Sequence, residues 1–481
     1  MTVSGTRTAV VVGGGLAGLM AAWALRGFAD RIIVVERDRY PEGLAYRPGV
    51  PQARHAHLVM DAGHRALEEM MPGIRRQLTD AGAEFVSATR DLRWLSSAGW
   101  MADYDPASLS FLCCTRPLLD RVVLDRVRAD GSIEFLEGTE VVGLLGSSRA
   151  VTGVRIRTRG ASDGASGGVG GGGNGVSDGA LDGALDGALD DDGVGGGRSA
   201  GVRAVEEIRA QLVVDATGRR ATTPAWLAEL GCPPVPEEQV DAGVAYATRL
   251  FHRPPGFDPG WKSAYVQTAA PHIKTLGVLI PIEGDRWIVG LGGMRGAEPE
   301  PGEEGYDKLL TELRHPILSE ALREAEPATE VRGFRPGPSV RRHYERSPVQ
   351  GLLVTGDAAT SFNPVYGQGI TVAAFSARAL RRSLVRRGDL GPATVREAQR
   401  GIMEASKAPW MMSSSEDVRF PATTGGPSGA LIRLQHRALD RVLAAATHDP
   451  VVTSAFHEVL AMASPPSALL RPKVLAGILR G

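Results

Sequence analysis

The sequence predicts a mixed α/β fold with a parallel-sheet unit at the N-terminus, an antiparallel sheet in the middle and a helical C-terminal region. Three observations predict it. Residues 8–13 and 31–36 are short apolar runs flanking the helix-like segment 16–25, as in a strand–helix–strand unit. Segments 243–251, 263–267, 276–280 and 287–291 follow one another as strands with no helix between them, which is the order of an antiparallel sheet. The residues from about 401 onward have helical period, with a Gly/Pro break near 421–429.

Composition bounds the reading. The chain has 481 residues, a formal net charge of −1 and 43% hydrophobic residues. That suits a large α/β enzyme or two to four domains and excludes global disorder. The near-zero charge argues against a nucleic-acid or membrane-surface binder, although a local basic patch could hide in the sum. No apolar run is long enough for a membrane span. Residues 1–8 are short and polar and are not expected to be a signal peptide. Three cysteines, two of them adjacent at Cys113 and Cys114, make no paired framework, so a reduced, cytoplasmic protein is expected.

The elements follow in order. After the first strand–helix–strand unit, helical period returns at 61–71 and 116–128. Residues 151–157 and 202–208 both alternate like strands. Between them, 160–201 is mostly Gly, Asp, Ser and Ala, with Gly-Ala-Leu-Asp three times in tandem from Gly179. Such a stretch cannot bury enough apolar surface to offset its ordering entropy, so a flexible insertion in an expanded hairpin connection is expected. Residues 213–215 form a short strand, 352–355 another, and 369–385 a helix.

Two glycine motifs carry the chemistry. Gly13-Gly14-Gly15-Leu16-Ala17-Gly18 lies between a strand and a helix. Gly13 permits the tight turn, Gly15 lets the backbone approach a pyrophosphate and Gly18 lets helix and strand pack closely. The helix N-terminus offers unpaired N–H groups to phosphate. Glu36, at the end of the next strand, would accept hydrogen bonds from a ribose diol. This is the pattern of a Rossmann-like unit, and by itself it does not separate NAD from FAD. The second motif, Gly351-Leu-Leu-Val-Thr-Gly356-Asp357-Ala-Ala359, runs from a strand into a turn and on to Asn363-Pro364-Val365-Tyr366-Gly367-Gln368-Gly369. An Asp on such a turn can hold a ribityl hydroxyl. The Pro-x-x-Gly-x-Gly corner leaves free N–H groups at a helix start, suited to the pyrimidine edge of a reduced flavin. A third element, Asp215-Ala-Thr-Gly218-Arg219, follows a short strand, and Arg116 opens a helix.

Together these motifs resemble the FAD-dependent monooxygenases of the aromatic-hydroxylase (group A flavoprotein) superfamily, over residues 9–382. Within it, Gly49-Val-Pro-Gln-Ala-Arg-His-Ala-His57, Val240-Asp-Ala-Gly-Val-Ala-Tyr-Ala-Thr-Arg-Leu-Phe251, Pro281-Ile-Glu-Gly-Asp-Arg-Trp287 and Phe362-Asn-Pro-Val-Tyr-Gly367 resemble the bacterial polyether epoxidases of the lasalocid and monensin type. The resemblance implies a discontinuous Rossmann-like FAD-binding domain (1–90, 110–159, 202–235 and 345–400), a sheet substrate domain (91–109 and 236–344) and a C-terminal helical region (401–481). It implies FAD held by Gly13, Gly15, Gly18 and Glu36 at the AMP half, with Leu16, Ala17 and Arg37 also among the cofactor-binding residues. Arg116 and Asp357 would contact the pyrophosphate and ribityl region, and Asp215, Gly218 and Gly356 would also help to hold the cofactor. Pro364, Gly367 and Gly369 would lie along the isoalloxazine, and Arg47 stands where such enzymes keep a flavin-contacting arginine. The implied reaction forms a flavin C4a-hydroperoxide and inserts one oxygen atom into a lipophilic small molecule, with alkene epoxidation in polyketide metabolism ahead of aromatic hydroxylation. The third element reads Asp-Ala-Thr-Gly where the superfamily has Asp-Gly, so electrons come either from NAD(P)H or from a partner flavin reductase.

No side-chain nucleophile is needed, so no catalytic residue is assigned; His55 and His57 are the weak candidates, and no histidine spacing suggests a metal. The partners implied are the substrate and O2, with no nucleic acid and no membrane span. Two other classes compete. A flavin halogenase would carry Trp-x-Trp-x-Ile-Pro and an early catalytic lysine, but the first of the five lysines is Lys262. A non-redox cyclase that keeps FAD as a structural wedge fits the same motifs and stays open. A flavin disulfide reductase is excluded by the lack of a spaced dithiol. A second nucleotide site at Gly290-Leu-Gly-Gly-Met-Arg-Gly296 is rejected because the segment leaves a strand for a Pro/Glu loop with no helix expected behind it.

Overall fold

A computed structural model describes residues 6–105, 109–159 and 204–480. The expected insertion at 160–201 lies outside the described residues. Five parallel strands form the first sheet, in the order Leu352–Val354, Leu212–Asp215, Thr8–Val12, Arg31–Glu36, Ile133–Glu137. Ala9, Val10 and Val11 are fully buried, as are Ile32, Ile33 and Val34, because helix Leu16–Leu25 packs on the sheet and the strands Thr139–Gly146 and Val151–Thr158 of a small antiparallel sheet pack on it as well. Strand direction reverses its order of addition at Thr8–Val12. The carboxyl ends of Thr8–Val12, Leu212–Asp215 and Leu352–Val354 therefore open onto one crevice, the place where open α/β sheets bind ligands.

The outer edge of this sheet is closed by a side chain. Gln399, on the helix Pro392–Asp417, accepts from the Val354 N–H at 2.8 Å and donates to its carbonyl at 3.0 Å. The amide thus stands in for a further strand and blunts the edge. The flanks of the insertion pair as an antiparallel hairpin, with Val154 opposite Ile208. The second of these strands begins at Glu206, later than the 202 read from alternation.

The second sheet has seven strands in the order Arg332–Phe334, Ala245–His252, Arg286–Gly293, Thr275–Ile282, Ser263–Val266, Leu92–Ser96, Gly99–Trp100. It is not wholly antiparallel: Leu92–Ser96 joins Ser263–Val266 in parallel, with Leu92 opposite Ser263. Side chains alternate across it with period two. Ala247, Phe251, Ala264, Val266, Leu279 and Val289 face the helices Gly302–Glu312 and Ile317–Ala321. Tyr246, Thr248, Tyr265, Gln267, Val278 and Ile280 face the other way, into a cavity. The C-terminal helices Ala430–Ala446, Pro450–Leu460 and Pro472–Arg480 close that side, anchored where Trp94 packs with Val442, Phe456 and Val474. Among the described residues, no helix is long and apolar enough to cross a membrane, and the three cysteines are free.

Candidate functional site

The N-terminal glycine turn divides by what each position tolerates. Gly13 has φ +96°, and a Cβ there would lie 2.6 Å from the Ala216 carbonyl oxygen. A Cβ at Gly18 would overlap the Gly13 carbonyl oxygen, so helix Leu16–Leu25 can approach the strand only without one. Gly15 is different. Its backbone is extended, at φ −76° and ψ 179°, and a Cβ would meet nothing within 4 Å. The protein itself asks for no glycine there. The open space lies over the uncapped N-terminus of helix Leu16–Leu25, whose first turn carries no acidic residue. That is a cradle for phosphate.

Around it the AMP-side residues gather. Glu36 accepts from the Gly14 N–H at 2.7 Å and from the Asp38 N–H at 2.9 Å. Each oxygen keeps a second lone pair for a ribose hydroxyl. Arg47 is buried, 3.3 Å from Glu36 and stacked over Tyr40 at 4.8 Å, and its Nη1 has no hydrogen-bond partner. Arg47 thus sits at the dinucleotide turn. Arg37 is exposed at its rim. Arg116, at the N-terminus of Arg116–Arg128, is buried and engages Asp120 at 2.6 Å through Nε.

The later motifs converge on the same crevice. The Asp215 carboxylate accepts from the Thr217 N–H and hydroxyl and from the Thr223 hydroxyl, at 2.8, 2.6 and 2.5 Å. Burial raises its pKa even so, and its visible work is to shape the turn leading to Gly218. Arg219 then donates to the carbonyls of Pro338 and Phe362, tying this turn to the second motif. A Cβ at Gly356 would meet the Ala17 Cβ at 2.6 Å, so the two glycine motifs touch. Asp357 is half-buried, and among the described residues its carboxylate has no hydrogen-bond or ion-pair partner. Gly367 has φ +66°, Gly369 opens the helix Gly369–Arg387, and no side chain caps it. An open cradle at Gly15, a buried Arg47 Nη1 that is ion-paired with Glu36 but has no hydrogen-bond partner, and a free Asp357 carboxylate fit an FAD molecule laid along this crevice. Replacing Asp357 with Ala is expected to lower FAD affinity about 10–100-fold with little change in melting temperature, read by flavin retained after gel filtration.

The cavity begins where the second motif ends. It measures about 1200 Å³, and Pro364, Val365, Tyr366, Gly367 and Gln368 form one wall. The sheet is its floor and the C-terminal helices its roof. Polar groups are few. Gln368 is 2% exposed with Oε1 unpaired. Tyr366 and Asn363 both donate to Asp417 Oδ1, at 2.9 and 2.8 Å. Glu416 lines the cavity with Arg419 at 3.6 Å. Burial pushes Glu416 up to about 7 and Asp417 up to about 6.

His55 and His57, the weak catalytic candidates, lie outside any strand, since the next one is Leu58–Val59. His55 turns to Thr248, with Nδ1 at 2.9 Å from Oγ1, and packs against Tyr246. His57 folds back onto the His55 carbonyl at 2.8 Å. Burial lowers His55 to about 4 and His57 to about 3, so both are neutral near pH 7, positioned by structural contacts rather than poised to move protons. Among the described residues no group of His, Cys, Asp or Glu could hold a metal. Sequence reasoning did not find Glu416, Asp417 or Gln368. The available signal was an acid pair ending a helix whose preceding buried positions, such as Ser406, Trp410 and Ser413, carry no charge.

A family model for an NAD(P)-binding Rossmann-like domain matches residues 11–71. The fold is that of flavin-dependent oxygenating and halogenating enzymes. PqsL, a probable FAD-dependent monooxygenase from Pseudomonas aeruginosa, superposes with a TM-score of 0.56 over 86% of this chain and 98% of its own, at 17% identity. The flavin-dependent brominase Bmp2 gives 0.62 over 94% and 92%, at 13% identity. The chain belongs to the family of Protein Rv3254 of Mycobacterium tuberculosis, with which it is 30% identical over 462 residues, covering 93% of this chain and 88% of the relative.

Proposed function

We propose that the chain is an FAD-dependent monooxygenase that inserts one oxygen atom into a lipophilic small molecule, with alkene epoxidation in polyketide metabolism as its reaction. The observation that carries this reading is a large apolar cavity sharing the wall Pro364–Gln368 with the crevice at the sheet ends. Bound and reduced, FAD would supply the oxygen-activating chemistry. The chain supplies the rest. Leu58, Met60, Val278 and Ile280 exclude water from the reacting end. Pro364 and Gly367 shape the wall against which substrate lies. Thr248, Gln368 and Glu416 offer the few polar contacts that orient it. Reducing equivalents come from NAD(P)H or a partner flavin reductase.

Aromatic hydroxylation is the second reading, and Glu416 favours it, since a cavity-facing carboxyl suits a phenol hydroxyl. The likeness to a brominase does not bring halogenation with it: the lysine lining the cavity, Lys407, is on the C-terminal roof. The test is to reduce the purified yellow protein, mix it with 18O2 in the presence of a panel of lipophilic alkenes and phenols, and analyse products by mass. One labelled atom per product supports the monooxygenase and separates epoxide from phenol. Bound flavin with no oxygen consumed under any substrate would replace this reading with the non-redox cyclase.

A further inference from the structure

The cavity has a mouth, and the mouth is built unlike the rest of the surface. Met411, Leu470 and Leu479 line the cavity yet are 52, 66 and 82% exposed. They come from three separate elements: the helix Pro392–Asp417, the turn Pro466–Leu470 and the helix Pro472–Arg480. Isolated exposed leucines need no explanation, but a cluster ringing one opening does.

The last helix shows the pattern most clearly. Val474 and Gly477 face inward, and Gly477 packs so closely on Val452 and Asp449 that a Cβ would lie 2.6 Å from each. Leu475 and Leu479, one turn apart, face outward. The helix is thus held to the protein by one face while its other apolar face has no partner among the described residues.

The helices Ala430–Ala446 and Pro472–Arg480, which contribute to the mouth, also carry cations. Arg433, Arg437, Arg441 and Lys473 are exposed, and among the described residues none of their side chains has an ion-pair or hydrogen-bond partner. Arg441 itself lines the mouth. The rim acid Glu404 has Lys407 at 4.0 Å. The chain's net charge of −1 conceals this local excess. We propose that the mouth docks on an anionic lipid bilayer, with Leu470, Leu475 and Leu479 in the acyl boundary and Arg437, Arg441 and Lys473 at the phosphate level. Apolar side chains below and long cationic ones at headgroup depth are what an interfacial surface requires. A second copy docked through the same patch would oppose arginine to arginine across a two-fold axis, which charge complementarity disfavours. An aperture facing the bilayer would let a lipophilic substrate enter without crossing water. That consequence rests on the proposed function; the docking itself does not.

The test is flotation of the full-length protein, as purified, with vesicles of phosphatidylcholine alone or with about 30% phosphatidylglycerol, at low and high salt. The expected result is binding to the anionic vesicles at least tenfold above the neutral ones, weakened by salt. Leu470→Asp with Leu479→Asp, and separately Arg437→Glu with Arg441→Glu, should each abolish it while circular dichroism and melting temperature stay unchanged. No binding to either vesicle, binding indifferent to headgroup charge, or binding that survives both variants would overturn the proposal. So would a dimer in solution that the same substitutions convert to monomer. Flavin content, measured on the same samples, reports on the cofactor reading independently of either result.

Discussion

Gly15→Ala is expected to yield a folded protein that purifies colourless. A Cβ at this position meets no protein atom within 4 Å, and its backbone angles suit any residue. Folding stability without added cofactor should therefore stay within about 1 kcal/mol of the parent. The methyl would instead occupy the space over the helix N-terminus, where a pyrophosphate must approach the backbone. FAD affinity should fall at least about tenfold, about 1.4 kcal/mol. Gly18→Ala is the contrasting control. Its Cβ would overlap the Gly13 carbonyl oxygen in a core where Val12, Leu16 and Leu19 are all buried. It should cost about 1–3 kcal/mol of folding stability whether or not FAD is present. Titration of FAD into both apoproteins, beside thermal melts, separates the two effects. A Gly15→Ala protein that retains full flavin would remove the phosphate cradle from the argument.

These two glycines show what the sequence reveals directly. A strand, a glycine turn, a helix and a second strand lie within 29 residues, from Thr8 to Glu36, so their period and spacing are local and readable. The convergence of Gly356 on Ala17 follows from the order of the motifs along one parallel sheet. The parallel addition of Leu92–Ser96 beside Ser263–Val266 does not, because nothing in either segment specifies a partner so distant in the chain. Strands as short as Leu58–Val59 carry no periodicity to detect. The histidines illustrate a different limit. Two-residue spacing says which face a pair shares only inside a paired strand; His55, though extended, ends the short helix Pro51–Arg54, and the His57 ring turns back onto the His55 carbonyl. The roof of the cavity was the least legible part. Helical period identifies Pro392–Asp417, but which of its faces meets a void rather than a core depends on the sheet beneath it.

That roof sets the second large effect, an inverted pH dependence of stability. Glu416 and Asp417 are raised by burial to about 7 and about 6, above the ordinary carboxylate range, despite Arg419 beside one and the Tyr366 and Asn363 donors on the other. The folded chain therefore binds more protons than the unfolded chain between about pH 4 and 7. Stability contributed by these groups is greatest when both are protonated and falls as pH rises through that window, opposite to an ordinary ion-paired carboxylate. Glu416→Gln and Asp417→Asn remove the ionisation while keeping an acceptor for Tyr366 and Asn363. Each variant should match the parent at about pH 5 and exceed it by about 1–3 kcal/mol at about pH 8 in chemical denaturation. A loss of stability at the higher pH would mean that the carboxylates are held ionised, by Arg419 or by a bound cation. The same titration bears on the cavity. Near neutrality Glu416 changes from a group that can donate a hydrogen bond to one that only accepts, so binding of a hydroxyl-bearing probe such as a long-chain alkylphenol should strengthen as pH rises through about 7, and should lose that dependence in Glu416→Gln.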